Sequence, residues 1–288
     1  MSRNQQKQTL KYFSRHAAAW FKQAKFQKRG PQSSAQQRNN FVFEYLKKNR
    51  IKNFLDIGCG SGNLVYEASK VTKFSHGIDF AKPMIVLAKK KFKQKNLKFE
   101  NIDALKFNSD VKYDVVAANG FIEYFSKKDL EKITKKIHTI LKKNGVLLIS
   151  SRNRLFNIFS LNNFTNLEIN SKKIPSLLNE TMQLINLDFK SFKKIRGLKF
   201  ETINYKQPKT GVNVDLINQY TPKQLINFYA KNGFEAISIS GINYHSVIPS
   251  FKTTNYVNEF NSKIVENNYY NKKIIPFSSS LMLILRKK

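Results

Sequence analysis

From residue 39 onward the apolar positions switch repeatedly between a spacing of three to four and a spacing of two, so helix and strand alternate. The spacing predicts helices at about 39–49, 62–71, 82–93 and 127–142, and strands at 53–57, 73–79, 97–102, 113–119 and 145–151. Strands separated by helices imply a parallel sheet with right-handed crossovers and helices on both faces. Further along, Thr221-Pro222-Lys223-Gln224 has the composition of a capped helix start, with proline first and glutamine third, and this helix is expected to run to about Asn232 before Gly233. A strand at 234–240 and a last strand from Ser279 to Leu285 complete the pattern.

Three stretches fall outside that repeat. Residues 1–38 hold nine Lys or Arg and no acid, and Leu10, Phe13, Ala17, Trp20, Phe21 and Ala24 recur at helical spacing. A basic amphipathic helix of this kind serves as a lid on the core, as a surface resting on anionic lipid, or as a targeting segment. Trp20 is a large apolar anchor and favours the lid. Gly30-Pro31-Gln32-Ser33-Ser34 reads as a loop. Residues 152–220 carry RLFNIFSLNNF and a mixed apolar and basic segment; lying after the fifth strand, they are expected at the carboxyl edge of the sheet, as a substrate cap. A smaller insertion at 242–278, rich in Tyr and Asn, is expected to border the same cleft. The domains are therefore an N-terminal helix at 1–38, a core at 39–151, the cap at 152–220 and the remainder of the core at 221–288.

A chain of 288 residues is long enough to bury one full core with insertions. Its longest apolar runs, GVLLIS and SLMLIL, are strand-sized, and residues 1–40 lack the apolar core of a secretory signal. These features predict a soluble, cytoplasmic protein. The net charge of +32 invites a nucleic-acid reading, since Lys and Arg neutralise phosphates. Lysine outnumbers arginine 42 to 9, however, and asparagine reaches 31. That composition suits an AT-rich genome writing tolerant surface positions, and the cations are spread along the chain instead of forming an arginine-rich block. Cys59 is the single cysteine, so an intrachain disulfide is impossible and a cysteine-based zinc site is disfavoured; the four histidines have no metal-ligand spacing.

The candidate chemistry centres on Leu55-Asp56-Ile57-Gly58-Cys59-Gly60-Ser61-Gly62, an acid and three glycines between a strand and a helix. Glycines there allow a ligand to lie against the backbone. Asn63 stands where a dinucleotide fingerprint needs its third glycine, and the Lys-Ser/Thr ending of a P-loop is absent, which argues against NAD, FAD and nucleoside triphosphates. DIGCGSG closely resembles motif I of the class I S-adenosylmethionine-dependent methyltransferases. Gly77-Ile78-Asp79-Phe80, Asn101-Ile102-Asp103-Ala104, YDVVAANGFIEYF at 113–125 and LKKNGVLLISS at 141–151 resemble later segments of that family in order and spacing. The resemblance implies a Rossmann-like α/β fold, doubly wound, with a seven-stranded mostly parallel sheet, the last strand antiparallel and an insertion cap after the fifth strand. It implies S-adenosyl-L-methionine as cofactor, with Asp79 on the ribose hydroxyls and Asp103 near the adenine edge. The cofactor set it suggests is Asp56, Gly58, Cys59, Gly60, Gly62, Asp79, Phe80, Met84, Asp103, Ala104 and Asn119.

Methyl transfer is an in-line displacement that relies on holding the reacting atoms collinear, with a base needed only when the acceptor is a hydroxyl or phenol. Glu123 and Tyr124, after the fourth strand, and His245, after the sixth, are the candidate catalytic residues. Each has a plainer reading, Glu123 as a salt-bridge partner and His245 as a surface loop histidine. Base-modifying amino-methyltransferases carry Asn or Asp, Pro, Pro and an aromatic after the fourth strand, whereas this chain has Asn119-Gly120-Phe121-Ile122. The Ile122-Glu123-Tyr124 stretch is similar instead to small-molecule enzymes, including ubiquinone-pathway O-methyltransferases, in which Glu-His is more usual. The expectation is therefore methylation of a small-molecule or lipid-like acceptor at oxygen. The alternatives carried with it are an RNA methyltransferase that grips phosphates and a peripheral contact with membrane.

Overall fold

Phe54 and Leu55 adjoin in sequence and are both fully buried, yet they enter different cores, because successive strand residues point to opposite faces. Val115 and Ala117 divide from Val116 and Ala118 in the same way, as do Val146 and Leu148 from Leu147 and Ile149. Strands apolar on both faces form the middle layer of three. The computed structural model describes residues 3–26, 30–200 and 217–288. Its strands are β1 (Asn53–Ile57), β2 (Phe74–Asp79), β3 (Leu97–Asn101), β4 (Tyr113–Ala118), β5 (Leu141–Arg152), β6 (Phe234–Tyr244) and β7 (Ser278–Lys287). They form one sheet in the order β3-β2-β1-β4-β5-β7-β6. The first five run parallel, and β7 is antiparallel to both β5 and β6. This is the doubly wound, Rossmann-like architecture expected from sequence.

One face is covered by α3 (Ser34–Lys48), α4 (Asn63–Ser69) and α11 (Asn255–Asn267), which contribute Phe41, Leu64 and Val265. The other is covered by α6 (Lys127–Ile140) and α10 (Pro222–Lys231) through Leu130, Ile133, Leu225 and Phe228. The capping box read at Thr221 is formed: Gln224 N–H donates to Thr221 Oγ1 at 3.2 Å, and Thr221 N–H donates to Gln224 Oε1 at 2.9 Å.

Three boundaries differ from expectation, one being the end of β6, which runs past residue 240 to Tyr244 and into the stretch read as an insertion. The first helix of the core begins at Ser34, inside the stretch read as a loop. Ser33 and Gln36 cap it reciprocally, and its polar first turns, which hide the helical period, bury Gln36, Gln37 and Asn39. The fifth strand begins at Leu141, where the sixth helix was expected to continue. Leu141 pairs with Tyr113, the register then shifts, and Asn144 takes a positive φ of 59°.

Residues 152–220 supply a short 3-10 turn (Arg154–Ile158), α7 (Asn163–Asn170), α8 (Ile174–Asn186) and α9 (Phe189–Phe192). Arg154 donates to both oxygens of Glu168 at 2.8 and 2.7 Å, in a pair almost wholly removed from solvent, and Asn157 donates to the same carboxylate at 2.9 Å. Leu177, Leu184 and Phe192 join the core beside α10. The stretch 201–216 of the expected cap lies outside the described residues.

Acids are scarce, and several lysines point at carbonyl oxygens instead. Lys272 Nζ donates to Leu184 O at 2.6 Å and Ile185 O at 2.9 Å near the end of α8. Lys287 Nζ donates to His138 O at 2.6 Å and Leu141 O at 3.0 Å near the end of α6. Both sit where a helix dipole favours a cation. Among the described residues, no helix is long and apolar enough to cross a membrane.

Candidate functional site

The parallel strands end at one edge of the sheet, where β1 passes into the glycine-rich turn and opens a cavity of about 240 Å³. Gly58, Gly60 and Gly62 all have positive φ, at 75°, 51° and 78°. They serve different ends. A Cβ on Gly62 would lie 2.5 Å from the Phe99 ring, so this glycine is needed for packing, whereas a Cβ on Gly60 would meet nothing within 4 Å. Gly60 is therefore where bare backbone faces the cavity.

Asp79, at the end of β2, is braced from the same turn. Gly60 N–H donates to its Oδ2 at 3.0 Å and Ala81 N–H donates to its Oδ1 at 2.8 Å. Burial pushes its pKa up to about 6 against the pull of these two donors. Asp56, at the end of β1, is pushed up to about 8 by burial and then by the charge of Asp79, and its Oδ1 has no partner. Burial likewise raises the Cys59 thiol well above its ordinary value, so Cys59 is an apolar filler of the turn.

The rim beyond β3 holds Ile102, Asp103, Ala104 and Leu105. Asp103 Oδ1 accepts from Leu105 N–H at 2.9 Å and Oδ2 accepts from the Gln6 side-chain amide at 2.8 Å. Gln6 belongs to α1 (Arg3–Arg15), which with α2 (Ala17–Gln23) forms one wall of the cavity through Gln6, Thr9, Phe13 and Trp20. Ala17 packs with Ala81 and with Met84 of α5 (Lys82–Lys91), and Phe13, Trp20 and Phe80 lie against them.

The opposite end is built by the residues after β4. Asn119, Gly120, Phe121, Tyr124 and Phe125 line it, and the Phe13 ring meets Tyr124 edge-on at 5.8 Å. Burial raises the Tyr124 phenol far above its ordinary range, with a further push from Glu123, so it is a neutral hydrogen-bonding group. Arg38, from α3, is the one cation lining the cavity among the described residues. Its Nη2 donates to Ser280 Oγ at 2.8 Å, and its buried Nε has no partner. Gly120, at φ 58°, makes room for this side chain, since a Cβ there would lie 2.7 Å from Arg38 Nη1.

Of the residues singled out from sequence, Asp56, Gly58, Cys59, Gly60, Asp79, Phe80, Met84, Asp103, Ala104, Asn119 and Tyr124 line this one cavity. Gly62 supports it from behind. Glu123 is buried behind Tyr124, with Oε2 at 3.8 Å from Arg152 Nε and Oε1 without a partner. His245 does not line the cavity. Its ring stacks on Phe156 at 4.8 Å, its Nε2 lies 3.1 Å from Ser279 Oγ, and burial lowers its pKa, so the imidazole is neutral. Sequence reasoning passed over Arg38, Asn39, Gln6 and Thr9. In sequence Arg38 is one of nine cations in residues 1–38 and carries no signal of its own; in the structure it lies between Gln37 and Asn39, buried polar residues of α3.

A family model described as "Methyltransferase domain" matches residues 48–207. Two malonyl-[acyl-carrier protein] O-methyltransferases are similar. The Bacillus cereus protein is 29% identical over 99 residues, 34% of this chain and 36% of that one. The Acetivibrio thermocellus protein is 26% identical over 205 residues, 67% of this chain and 68% of that one. The ubiquinone biosynthesis O-methyltransferase of Pelagibacter ubique is 28% identical over 167 residues, 51% of this chain and 65% of that one. A Methanococcus maripaludis protein named as a cobalt-precorrin-6B C(15)-methyltransferase is 35% identical over 133 residues, 42% of this chain and 70% of that one. Among solved structures, the DhpI complex with S-adenosylhomocysteine aligns with all of this chain and 98% of its own, at a TM-score of 0.56 and 12% identity. That likeness is one of fold.

Proposed function

Since the chain belongs to the S-adenosylmethionine-dependent methyltransferase family, we propose that it methylates a small or lipid-like metabolite at oxygen. The observation that carries this reading is the set of groups gathered around Gly60. The braced Asp79 carboxylate suits a ribose diol, and Phe80 with the Ile102–Leu105 rim suits an adenine. Asp56 Oδ1, Arg38 Nε and Asn119 Oδ1 are buried polar atoms without partners, at the positions where a zwitterionic amino-acid tail would satisfy them. When bound, the cofactor supplies a methyl group on a sulfonium sulfur.

The chain's own residues then have distinct tasks. Asp79 and Asp103 orient the nucleoside, and Arg38 holds the carboxylate of the tail. Phe13, Trp20, Phe121 and Tyr124 exclude water from the reacting end, which strengthens the electrostatic contacts there. Glu123 is the proton acceptor for a hydroxyl acceptor, with Tyr124 orienting the oxygen. His245 is set aside from this role because it follows the edge strand β6 and stacks on Phe156, whereas Glu123, though outside the lining itself, adjoins the lining residue Tyr124.

The test is transfer of a labelled methyl group from S-adenosylmethionine into a lysate, followed by nuclease digestion and separation into RNA, organic-soluble and small polar fractions. Label is expected in an organic or small polar fraction, and label in nuclease-sensitive material would overturn the reading. Asp79→Ala should abolish cofactor binding and leave the fold intact.

A further inference from the structure

A loop tip that faces water is ordinarily built of Gly, Pro, Asn, Asp and Ser. The loop after β6 reads Ser246-Val247-Ile248-Pro249-Ser250-Phe251-Lys252, and it leaves Phe251 64% and Val247 41% exposed. A turn in which Phe251 N–H donates to Ile248 O at 3.1 Å closes this tip.

The loop does not stand alone. Its base is tied down where His245 N–H donates to Phe277 O at 2.9 Å. The Phe277 ring, 40% exposed, meets Tyr244 at 6.4 Å and Phe159 at 4.9 Å. Phe159 leads in turn to Leu161, which is 63% exposed and held at a φ of 46°. Two separate insertions thus place apolar side chains beside the ends of β5 and β6 and the start of β7, where Arg152 pairs with Ser280 and Tyr244 pairs with Ser278. This is the edge of the sheet at which the cavity opens.

The charge around these side chains has one sign. Residues 152–167, 241–258 and 271–277, which build the surface, contain no Asp or Glu. Lys252 is exposed beside Phe251, and Lys273 is exposed in the 3-10 turn that ends at Phe277. The centre of a protein–protein contact is built on Tyr, Trp and Arg seated in fitted pockets. Here protruding Leu, Val and Phe are flanked by lysines, the arrangement of a segment that dips into the headgroup boundary of an anionic bilayer.

We propose that this surface docks on an anionic lipid bilayer, with Val247, Phe251 and Leu161 inserted and Lys252 and Lys273 at the headgroups. The net charge of +32 draws the protein to such a membrane from a distance, and the apolar tips hold it there. Docking turns the cavity's edge of the sheet toward the lipid, a role separate from methyl transfer itself.

Co-sedimentation with vesicles of phosphatidylcholine and phosphatidylglycerol, in physiological salt that screens distant charges, tests the proposal. The wild type is expected in the pellet, and the double variant Val247→Ser, Phe251→Ser should bind about tenfold to a hundredfold more weakly. A wild type that stays in solution overturns the proposal. So does a double variant that binds as tightly as the wild type, which would show adsorption by charge alone. Insertion is read separately with Phe251→Trp, whose emission, added to that of Trp20, should be quenched by brominated acyl chains; an unquenched signal counts against docking by this loop. Sedimentation velocity without vesicles examines the competing occupant, since a wild-type dimer that the double variant dissolves would assign the surface to a second copy of this chain. Binding of S-adenosylhomocysteine by each variant shows that it is folded, and loss of vesicle binding alone leaves the methyl-transfer reading standing.

Discussion

The side-chain amide of Gln6 lies 2.8 Å from the carboxylate of Asp103 and ties the first helix to the far rim of the cavity. Phe13, from the same helix, touches Tyr124 at the other end. One helix therefore spans the opening from rim to rim. Gln6→Ala should speed release of S-adenosylhomocysteine by about twofold to tenfold, the worth of one partly buried hydrogen bond. Stopped-flow dissociation would measure it, and an unchanged rate would mean that the helix does not hold the ligand in.

The buried pair Asp56 and Asp79 gives a pH dependence whose sign is fixed. Their folded pKa values, about 8 and about 6, lie above the ordinary 3.8. The stability linked to their protonated forms is fully present below about pH 4 and is lost as pH rises through 6 and then 8. The ligand-free protein should therefore melt at lower temperature as pH climbs across that window. A cationic ligand reverses the trend, so the stabilisation by S-adenosylmethionine should grow over the same range. Thermal melts from pH 5 to 9, with and without ligand, would test both slopes, and Asp79→Asn should flatten them.

Alanine at Gly60 and at Gly62 should fail for different reasons. Gly62→Ala drives a methyl group into Phe99 and should lower stability, while the ligand-facing surface is untouched. Gly60→Ala meets open space and costs only the left-handed backbone, about 1–2 kcal/mol. Its methyl would enter the cavity, so S-adenosylhomocysteine binding should be lost in a protein that is still folded. Paired melting and calorimetry would distinguish the two.

The ion pair of Arg154 and Glu168 should be costly to break. Glu168→Ala removes the carboxylate that accepts two bonds from the buried Arg154 and one from Asn157, and should open α7 before the sheet. Hydrogen exchange would reveal early opening confined to residues 154–170.

The glycine turn and Asp79 were legible because each sits at a strand end whose position the periodicity determines, and Asp103, two residues past β3, was legible only through the resemblance of its segment to the family. Arg38, Gln6 and Thr9 were not, because they reach the cavity only through packing of helices that precede the sheet. His245 was misread as a neighbour of the site for a topological reason. It follows β6, the edge strand, and β7 separates that strand from β5. A residue at the correct edge of the sheet is thus displaced sideways by two strands. The helix at Ser34 was hidden because its first turns are polar yet buried, where a periodicity argument expects apolar residues.

The lysines that end on carbonyl oxygens change the meaning of the +32 charge. Burial lowers the pKa of Lys272 and Lys287, and each neutralises its surroundings through dipoles within a bond's reach, which dissolved ions screen little. What salt does reach is the mutual repulsion of the remaining surface cations. Added electrolyte thus relieves a strain and leaves the supporting contacts in place, so this fold should grow firmer in concentrated salt, where a protein knit by surface ion pairs would loosen.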